Sequence, residues 1–217
     1  MYFQDRVQAA QQLIPPLLKY RYENTIVVAL GDSSVGLAES IAENLHCLMT
    51  LFVALDIEIP GEGVAYGTVT EDGAFSINGE LSQSELGEYY GEFRSYIEEQ
   101  KRSQASRVNQ LLGDGGLLDP DLLRDHVVIL VSDGLKSGSM LDAAVAYLKP
   151  IRIQKLVIAT PIASVTAVDR MHILGDELHI LNVTDNFMDV DHYYNDNPHL
   201  SHEEIIAKIN AIILNWH

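Results

Sequence analysis

The segment VVILVSDGLKSGSMLDAAV, Val127 to Val145, decides the fold class of this chain. It begins with an apolar, β-branched run and passes through a turn rich in Gly and Ser into a helical pattern from Ser139. The turn contains one carboxylate, Asp133, and one lysine, Lys136. A strand that leads through such a turn into a helix is typical of α/β proteins, and the helix N-terminus favours anions. The segment therefore predicts a strand, a ligand loop and a helix.

The same alternation of strands and helices continues on both sides of this segment. It predicts an α/β fold in three layers, a mostly parallel sheet with helices on both faces. Ligands of such sheets bind beyond the carboxyl ends of the strands, so we expect the pocket near 31–34, 132–139 and 161–164. A hairpin signal at Glu71-Asp72-Gly73 adds a small antiparallel piece. We predict a single domain over 1–217 with a hood of hairpin and helix at approximately 60–110. The predicted strands are 25–30, 49–54, 126–131, 155–160 and 177–181, the hairpin is 64–78, and the predicted helices are 5–19, 33–45, 82–108, 139–148, 163–173 and 201–214.

Two stretches predict interruptions of this pattern. Pro15 and Pro16 remove two amide donors from the first helix and predict a break or a kink there. The stretch GDGGLLDP at 113–120 predicts a turn or a linker.

Composition excludes several classes of protein. The chain has 217 residues and a formal net charge of -17, which opposes sequence-independent binding to nucleic acid or to an anionic membrane. No apolar run reaches the length of a membrane span, and the first residues lack the pattern of a secretion signal, so we expect a cytoplasmic location. Cys47 is the single cysteine, which excludes an internal disulfide and favours a core position.

The loop after Val131 has the residue types of a phosphate site. Gly134 and Gly138 permit positive φ and a close approach of backbone to ligand, and the amides of 136–139 would lie at a helix N-terminus. Asp133 could accept hydrogen bonds from sugar hydroxyls or reach Mg²⁺ through water. The alternative is that Asp133 and the serines only cap the helix and turn the chain. The spacing matches neither a P-loop nor a dinucleotide fingerprint, so the residues alone leave both alternatives open.

Several segments resemble type I phosphoribosyltransferases. VVILVSDGLKSGSMLDAAVAYLK is similar to the family signature, in which a strand leads to two acidic residues, a glycine and a loop that ends Thr-Gly-x-Thr. ALGDSSVGLAESIAENL resembles the pyrophosphate-binding segment, and KLVIATPIAS resembles the later strand with its Pro-containing loop. AYGTV at 65–69 and FMDVDHYYND resemble a bacterial branch of the family. The resemblance extends from about residue 3 to 214.

The resemblance implies a core parallel sheet with a flexible hood. It also implies transfer of ribose 5-phosphate from phosphoribosyl pyrophosphate, with Mg²⁺ bound to that substrate, to a nitrogen nucleophile. Asp133 matches the acidic position that contacts the ribose hydroxyls, so it is the expected catalytic residue and the candidate Mg²⁺ ligand. The implied partners are a small phosphorylated ribose ligand and a second copy in a homodimer. The implied substrate-binding residues are Gly31, Asp32, Ser33 and Ser34 in the pyrophosphate loop, and Ser132, Asp133, Gly134, Lys136, Ser137, Gly138 and Ser139 around the ribose and its 5′-phosphate.

The departures from the family pattern fall on positions that bear charge or donate hydrogen bonds. Ser132 replaces the first acidic residue, Met140 replaces the last loop Thr, and Asp32 stands where the branch has Arg. Ala54-Leu55 stands where the branch has Arg-Lys. A unit charge at 4 Å contributes about 4 kcal/mol at an effective dielectric of about 20, so Asp32 would oppose pyrophosphate binding strongly. Two functions stay open: a phosphoribosyltransferase, or an inactive homologue that acts as a ligand-binding or regulatory protein.

Two features near the C-terminus have competing interpretations. The acidic stretch 189–192, with His199 and His202 downstream, suggests a metal cluster, but it lacks a helical pair of His ligands, so we favour a polar loop. Tyr193 and Tyr194 either cover the ligand pocket or pack, and we favour packing.

Overall fold

The computed structural model describes residues 2–112, 118–198 and 200–212. The strands are β1 Thr25–Leu30, β2 Leu48–Phe52, β3 Ala54–Glu58, β4 Ala65–Thr70, β5 Phe75–Ile77, β6 Val127–Val131, β7 Lys155–Ser164 and β8 Glu177–Thr184. Five of them form a parallel sheet in the order β2-β1-β6-β7-β8, with parallel pairing at every neighbouring pair. The other three form a separate antiparallel sheet in the order β3-β4-β5.

Helices cover both faces of the parallel sheet. Successive side chains of a strand point to opposite faces, so on β1 Val27 and Ala29 belong to one buried cluster, and Ile26 and Val28 to the other. The first cluster packs against α1, α2 and α7, and the second against α5 and α6, which confirms the predicted α/β architecture. The helices are α1 Arg6–Leu17, α2 Val35–Leu45, α3 Gln83–Leu112, α4 Pro120–Leu123, α5 Ser139–Leu148, α6 Val165–Leu174 and α7 His202–Ala211.

The hood consists of the antiparallel sheet and α3. The predicted hairpin is confirmed as β4 and β5. The predicted strand 49–54 is wrong in its C-terminal boundary, because β2 ends at Phe52. The chain leaves the parallel sheet after Phe52, and Ala54 pairs instead with Thr70 in the hood. The sequence did not predict β3 because Asp56 interrupts its apolar pattern. In the structure the Asp56 carboxylate accepts a hydrogen bond from the Thr68 hydroxyl across the strand pair, at 2.5 Å.

The first helix runs through both of its prolines, so the predicted break is wrong. Buried side chains before and after the prolines, among them Leu13 and Leu17, anchor α1 in the core. Pro15 and Pro16 themselves are exposed. The carbonyls four residues earlier, which lose their amide partners, belong to exposed glutamines, and water can satisfy them there.

Other boundaries differ by a few residues. β7 extends to Ser164, whose hydroxyl accepts a hydrogen bond from the Ala167 amide at 3.0 Å and so begins α6 after the predicted start at 163. The α3 span includes a non-helical residue at Phe93. Residues 113–117 of the predicted linker, and 213–214 of the predicted last helix, lie outside the described residues. None of the described helices has the length and apolar character needed to cross a membrane.

Candidate functional site

The two loops that the sequence singled out lie side by side. β1 and β6 are neighbours in the sheet, so their carboxyl ends bring the loop at 31–34 next to the loop at 132–139. The Asp133 amide donates a hydrogen bond to the Ser34 hydroxyl at 3.1 Å. Ligands of open parallel sheets bind at this edge, so the fold places both loops where a site is expected.

The Asp133 carboxylate is buried and fully engaged by the protein. Its Oδ2 accepts from Arg6 Nε at 2.8 Å and lies 2.7 Å from Arg6 Nη2. Its Oδ1 accepts from the hydroxyls of Ser33 and Ser34, each at 3.1 Å. The residue is only 3% exposed. Asp133 therefore holds the 31–34 loop and the first helix in place, and its predicted contact with ribose stays a prediction.

Arg6 is the residue of this site that sequence reasoning missed. It lies 127 residues from Asp133, at the start of α1, so no local pattern connects the two. Arg6 Nη2 also donates to Asp191 Oδ1 at 3.0 Å, and the guanidinium carbon lies 4.7 Å from the centre of the Tyr194 ring. The Tyr194 hydroxyl donates to the Asp133 carbonyl at 2.5 Å. Tyr193 and Tyr194 are both buried, as the packing interpretation predicted.

Burial and ion pairing have opposite effects on the pKa values of Asp133 and Arg6. Burial raises the pKa of Asp133, and the Arg6 charge and the hydrogen bonds of Ser33 and Ser34 oppose that rise. Burial also disfavours the Arg6 charge, but the attraction of Asp133 and the hydrogen bonds of Asp191 and Asp133 outweigh it, so the pKa of Arg6 is raised. The guanidinium stays charged, and the carboxylate acts only as an acceptor.

These residues do not fit a magnesium ion held by the protein. Both oxygens of Asp133 already accept from Arg6 and from two hydroxyls, and Mg²⁺ requires carboxylate oxygens that are free to coordinate it. The described part of the chain contains no group of three or more His, Cys, Asp or Glu side chains that could hold a metal. In the 189–192 stretch, Asp191 is paired with Arg6, and His192 Nε2 lies 2.9 Å from the Tyr2 hydroxyl. His199 lies outside the described residues.

The predicted phosphate loop at 136–139 is bonded to carboxylates of the hood. The Gly138 amide donates to Glu80 Oε1 at 2.6 Å, and the Ser139 hydroxyl donates to Asp56 Oδ2 at 2.8 Å. Burial raises the pKa of the Glu80 and Asp56 carboxyls, and these hydrogen bonds oppose that rise more weakly. Lys136 is exposed, and the Ser137 hydroxyl lies 3.1 Å from that of Ser139. The loop geometry does suit an anion, and the anions that it contacts here are the carboxylates of Glu80 and Asp56.

The glycines of this loop have a different role from the predicted one. Neither Gly134 nor Gly138 adopts a positive φ, so that expectation is wrong. A Cβ on Gly138 would lie 2.4 Å from Arg170 Cγ, and one on Gly134 would lie 3.1 Å from the Val190 methyls. A side chain at Gly138 would therefore require Arg170 to move, whereas one at Gly134 would only be tightly packed against Val190. Ser132 does not line the cavity described below. Its hydroxyl donates to the Gly134 carbonyl of its own loop at 3.0 Å.

A cavity of about 580 Å³ lies beside the 31–34 loop. Gly31 forms its edge with a φ of +81°, a conformation that only glycine adopts easily. The predicted loops at 132–139 and 161–164 do not line this cavity, because the first is covered by the hood and the second is the buried end of β7. The cavity is lined by Asp5, Arg6, Val7, Gly31, Asp32, Ser33, Gly36, Glu39, Val53, Ala54, Leu55, Arg107, Met140, Pro198, Leu200 and Lys208.

The charges of this cavity are unevenly distributed. Arg6 is paired with Asp133, and Lys208 Nζ lies 2.6 Å from Glu39 Oε2. Arg107 is exposed. Burial raises the pKa of Asp32, and electrostatic interaction with His202 and Arg107 opposes that rise. The loop that the family resemblance assigned to pyrophosphate thus presents a half-buried carboxylate to the cavity.

Sequence comparison connects this fold with named proteins. Two curated proteins of Mycobacterium tuberculosis, one from each of two strains, are 24% identical to this chain over 210 residues and cover 94% of it. Both are named putative phosphoribosyl transferase. This chain is similar to proteins named as phosphoribosyl transferases. It spans about half of the length of these relatives, 46%, and no family model matches it.

Solved structures show the same fold. The protein TT1426 from Thermus thermophilus is 25% identical, with a TM-score of 0.71 over 100% of this chain and 99% of that one. A hypothetical protein from Neisseria gonorrhoeae with bound ppGpp is 11% identical, with a TM-score of 0.52 over 97% of this chain and 94% of that one. The resemblance found in the sequence is confirmed by the names of the curated relatives, and these two structures confirm the predicted fold class.

Proposed function

We propose that this phosphoribosyltransferase-like protein binds a phosphorylated ribose ligand, a nucleotide, in the cavity beside 31–34 and does not transfer ribose 5-phosphate. The observation that carries the proposal is the engagement of Asp133. Its two oxygens are bonded to Arg6, Ser33 and Ser34, while the neighbouring cavity offers about 580 Å³ to a ligand. Cavities of this size bind small molecules and cofactors.

The electrostatics of the cavity oppose transfer from phosphoribosyl pyrophosphate. Departure of pyrophosphate requires positive charge or hydrogen-bond donors around the developing negative charge. Asp32 places a carboxylate there instead, and the Ser33 hydroxyl donates to Asp133. A carboxylate at about 4 Å from pyrophosphate would disfavour it by about 4 kcal/mol per unit charge at an effective dielectric of about 20.

Cations at the edge of the same cavity favour a ligand with a phosphate group. Arg107 is exposed and Lys208 is partly exposed beside Glu39, and both line the cavity. Arg and Lys bind phosphate by charge-assisted hydrogen bonds. The names of the curated relatives and the ppGpp bound in the N. gonorrhoeae protein support the nucleotide class. The phosphate would then lie near Arg107, since the 136–139 loop does not line the cavity and its Gly138 amide and Ser139 hydroxyl are engaged by Glu80 and Asp56.

Calorimetric titration tests the proposal. We expect nucleoside 5′-monophosphates to bind without added Mg²⁺, and phosphoribosyl pyrophosphate to bind more weakly than ribose 5-phosphate. Arg107→Gln should weaken the nucleotide about tenfold while leaving the nucleoside unchanged, because one charge-assisted contact contributes about 1.5–3 kcal/mol before solvent screening. The matched control is Arg102→Gln, an exposed arginine of the same helix that does not line the cavity.

Transfer activity is the result that would overturn the proposal. Pyrophosphate released from phosphoribosyl pyrophosphate and Mg²⁺ in the presence of a nitrogenous acceptor would show that the site is catalytic. The regulatory role, the cytoplasmic location and the homodimer stay predictions. Sedimentation equilibrium, with and without nucleotide, measures the last of them.

A further inference from the structure

The Asp32 side chain in the cavity wall has no hydrogen-bond or ion-pair partner among the described residues. Its carboxylate lines the cavity and is about half buried. Within residues 2–112, 118–198 and 200–212, no hydrogen bond or ion pair to this carboxylate is formed. Arg107 and His202 act on it only through longer-range attraction. A partly buried carboxylate without donors is unfavourable, so a ligand that supplies donors would gain from meeting it.

The surroundings of Asp32 define the shape of that ligand. Val53, Ala54 and Leu55 line the cavity from the crossing into the hood, and Met140 lines it from α5. These are small or flexible apolar side chains, which suit a flat apolar ring. The group that meets Asp32 must therefore combine a planar body with N–H donors.

The positions of the charges orient the ligand. Asp32 is half buried in the cavity wall, whereas Arg107 is exposed. A ligand with a phosphate at Arg107 and an N–H edge at Asp32 would pair each end with the opposite charge. A simple organic cation would meet Asp32 but would leave Arg107 without an anion, so the arrangement favours a nucleotide over an amine.

We propose that Asp32 recognises a guanine-type base, whose N1–H and 2-amino group donate side by side to its two carboxylate oxygens. This assignment rests on the proposed nucleotide binding and names the base. Carboxylates accept such paired donors well. Adenine presents an unprotonated N1 at this edge, hypoxanthine lacks the 2-amino donor, and xanthine places a carbonyl oxygen against the carboxylate.

Three nucleotides that differ at one ring position test the assignment. Calorimetric titration of the unmodified protein with guanosine, inosine and xanthosine 5′-monophosphates compares 2-amino, hydrogen and 2-oxo groups. We expect guanosine monophosphate to bind about tenfold or more tightly than inosine monophosphate, because the loss of one charge-assisted hydrogen bond leaves Asp32 underbonded. Xanthosine monophosphate should bind most weakly, through repulsion between its 2-oxo group and the carboxylate.

Exchange of the carboxylate for an amide should change the preference. Asp32→Asn retains one acceptor and gains one donor, so it should lose the preference for guanosine over inosine monophosphate and favour the xanthine base. The matched control is Asp185→Asn, an exposed carboxylate beyond β8 that does not line the cavity, and it should keep the original order. Circular dichroism and the melting temperature confirm that each variant is folded.

The outcomes separate the two proposals. Equal binding of guanosine and inosine monophosphates to the unmodified protein, with nucleotide binding intact, overturns the role of Asp32 and leaves the proposed function standing. An unchanged order of preference in Asp32→Asn overturns it as well. Failure of every nucleotide and of ribose 5-phosphate to bind overturns the proposed function, and the base assignment with it.

Discussion

The loops at 31–34 and 136–139 occupy equivalent places in the fold but have different surroundings. Each follows a parallel strand and leads into a helix at the carboxyl edge of the sheet. The 31–34 loop borders a cavity of about 580 Å³, whereas the Gly138 amide and the Ser139 hydroxyl of the 136–139 loop are bonded to Glu80 and Asp56. A strand–loop–helix motif therefore does not by itself identify a ligand site in this protein. What lies opposite each loop decides whether the loop borders a cavity or is bonded to the hood and the residues next to it.

The hood explains the difference. The hood sheet and the residues after β5 approach the start of α5, so Glu80 reaches the Gly138 amide, and Asp56 of β3 reaches the Ser139 hydroxyl. Opposite 31–34 the chain crosses into the hood through Val53-Ala54-Leu55, whose side chains are apolar and small enough to leave space. Substitutions in and around each loop test this difference.

Loss of Arg6 should have the largest effect, on the loop at 31–34. Arg6→Met leaves Asp133 buried without its cation, which costs about 3–5 kcal/mol for a buried pair. Urea unfolding at neutral pH measures this free energy. The control Arg152→Met removes an exposed ion pair with Asp125, and it should cost at most about 1 kcal/mol. Equal losses in the two variants would show that the Asp133 contact does not stabilise the loop.

Substitution of Gly31 should have the next largest effect. Gly31 has a φ of +81° and a ψ of 164°, so Gly31→Ala should destabilise the protein by about 1–3 kcal/mol through backbone strain. Gly36→Ala is the control, because Gly36 lies in α2 with an ordinary φ and open space around a Cβ, and the change favours the helix slightly. Thermal unfolding compares the two. A Gly31→Ala variant as stable as Gly36→Ala would contradict the strained geometry of the loop.

Removal of the Glu80 charge should open the loop at 136–139. Glu80→Gln weakens the hydrogen bond from Gly138, at a cost of about 1 kcal/mol, and removes an anion that competes with phosphate. We expect ribose 5-phosphate to raise the melting temperature of Glu80→Gln more than that of the unmodified protein. Glu92→Gln, which removes an exposed charge from α3, should behave as the unmodified protein. If both variants respond alike, Glu80 does not compete with phosphate at this loop.

The smallest effect should be a pH dependence from Asp56. Burial raises the pKa of Asp56 in the folded protein, so the folded state binds its proton more tightly than the unfolded state. The stability that this proton contributes is present below the unfolded pKa and is lost as pH rises through the raised folded pKa. Asp56→Asn removes that loss, so its melting temperature relative to the unmodified protein should increase from pH 4 to pH 8. A difference that is constant with pH would contradict the raised pKa.

Much of the fold could be predicted from the sequence because the signals are local. The apolar runs at 25–30 and 126–131, the hairpin turn near Gly73 and the helix after Ser139 all have the predicted structure. The errors occurred where tertiary contacts override a local signal. Buried neighbours keep α1 continuous through Pro15, and the hydroxyl of Thr68 allows Asp56 to lie within a strand.

From the sequence alone one can predict a mostly parallel α/β protein, name 31–34 and 132–139 as candidate loops, and see that charges which the family resemblance implies around pyrophosphate are reversed or absent. Periodicity and residue type are properties of neighbouring positions, so they are visible without a structure. The tertiary structure alone decided which loop is open. The Arg6–Asp133 and Glu80–Gly138 contacts join residues 127 and 58 positions apart, and no local pattern encodes contacts at such separations.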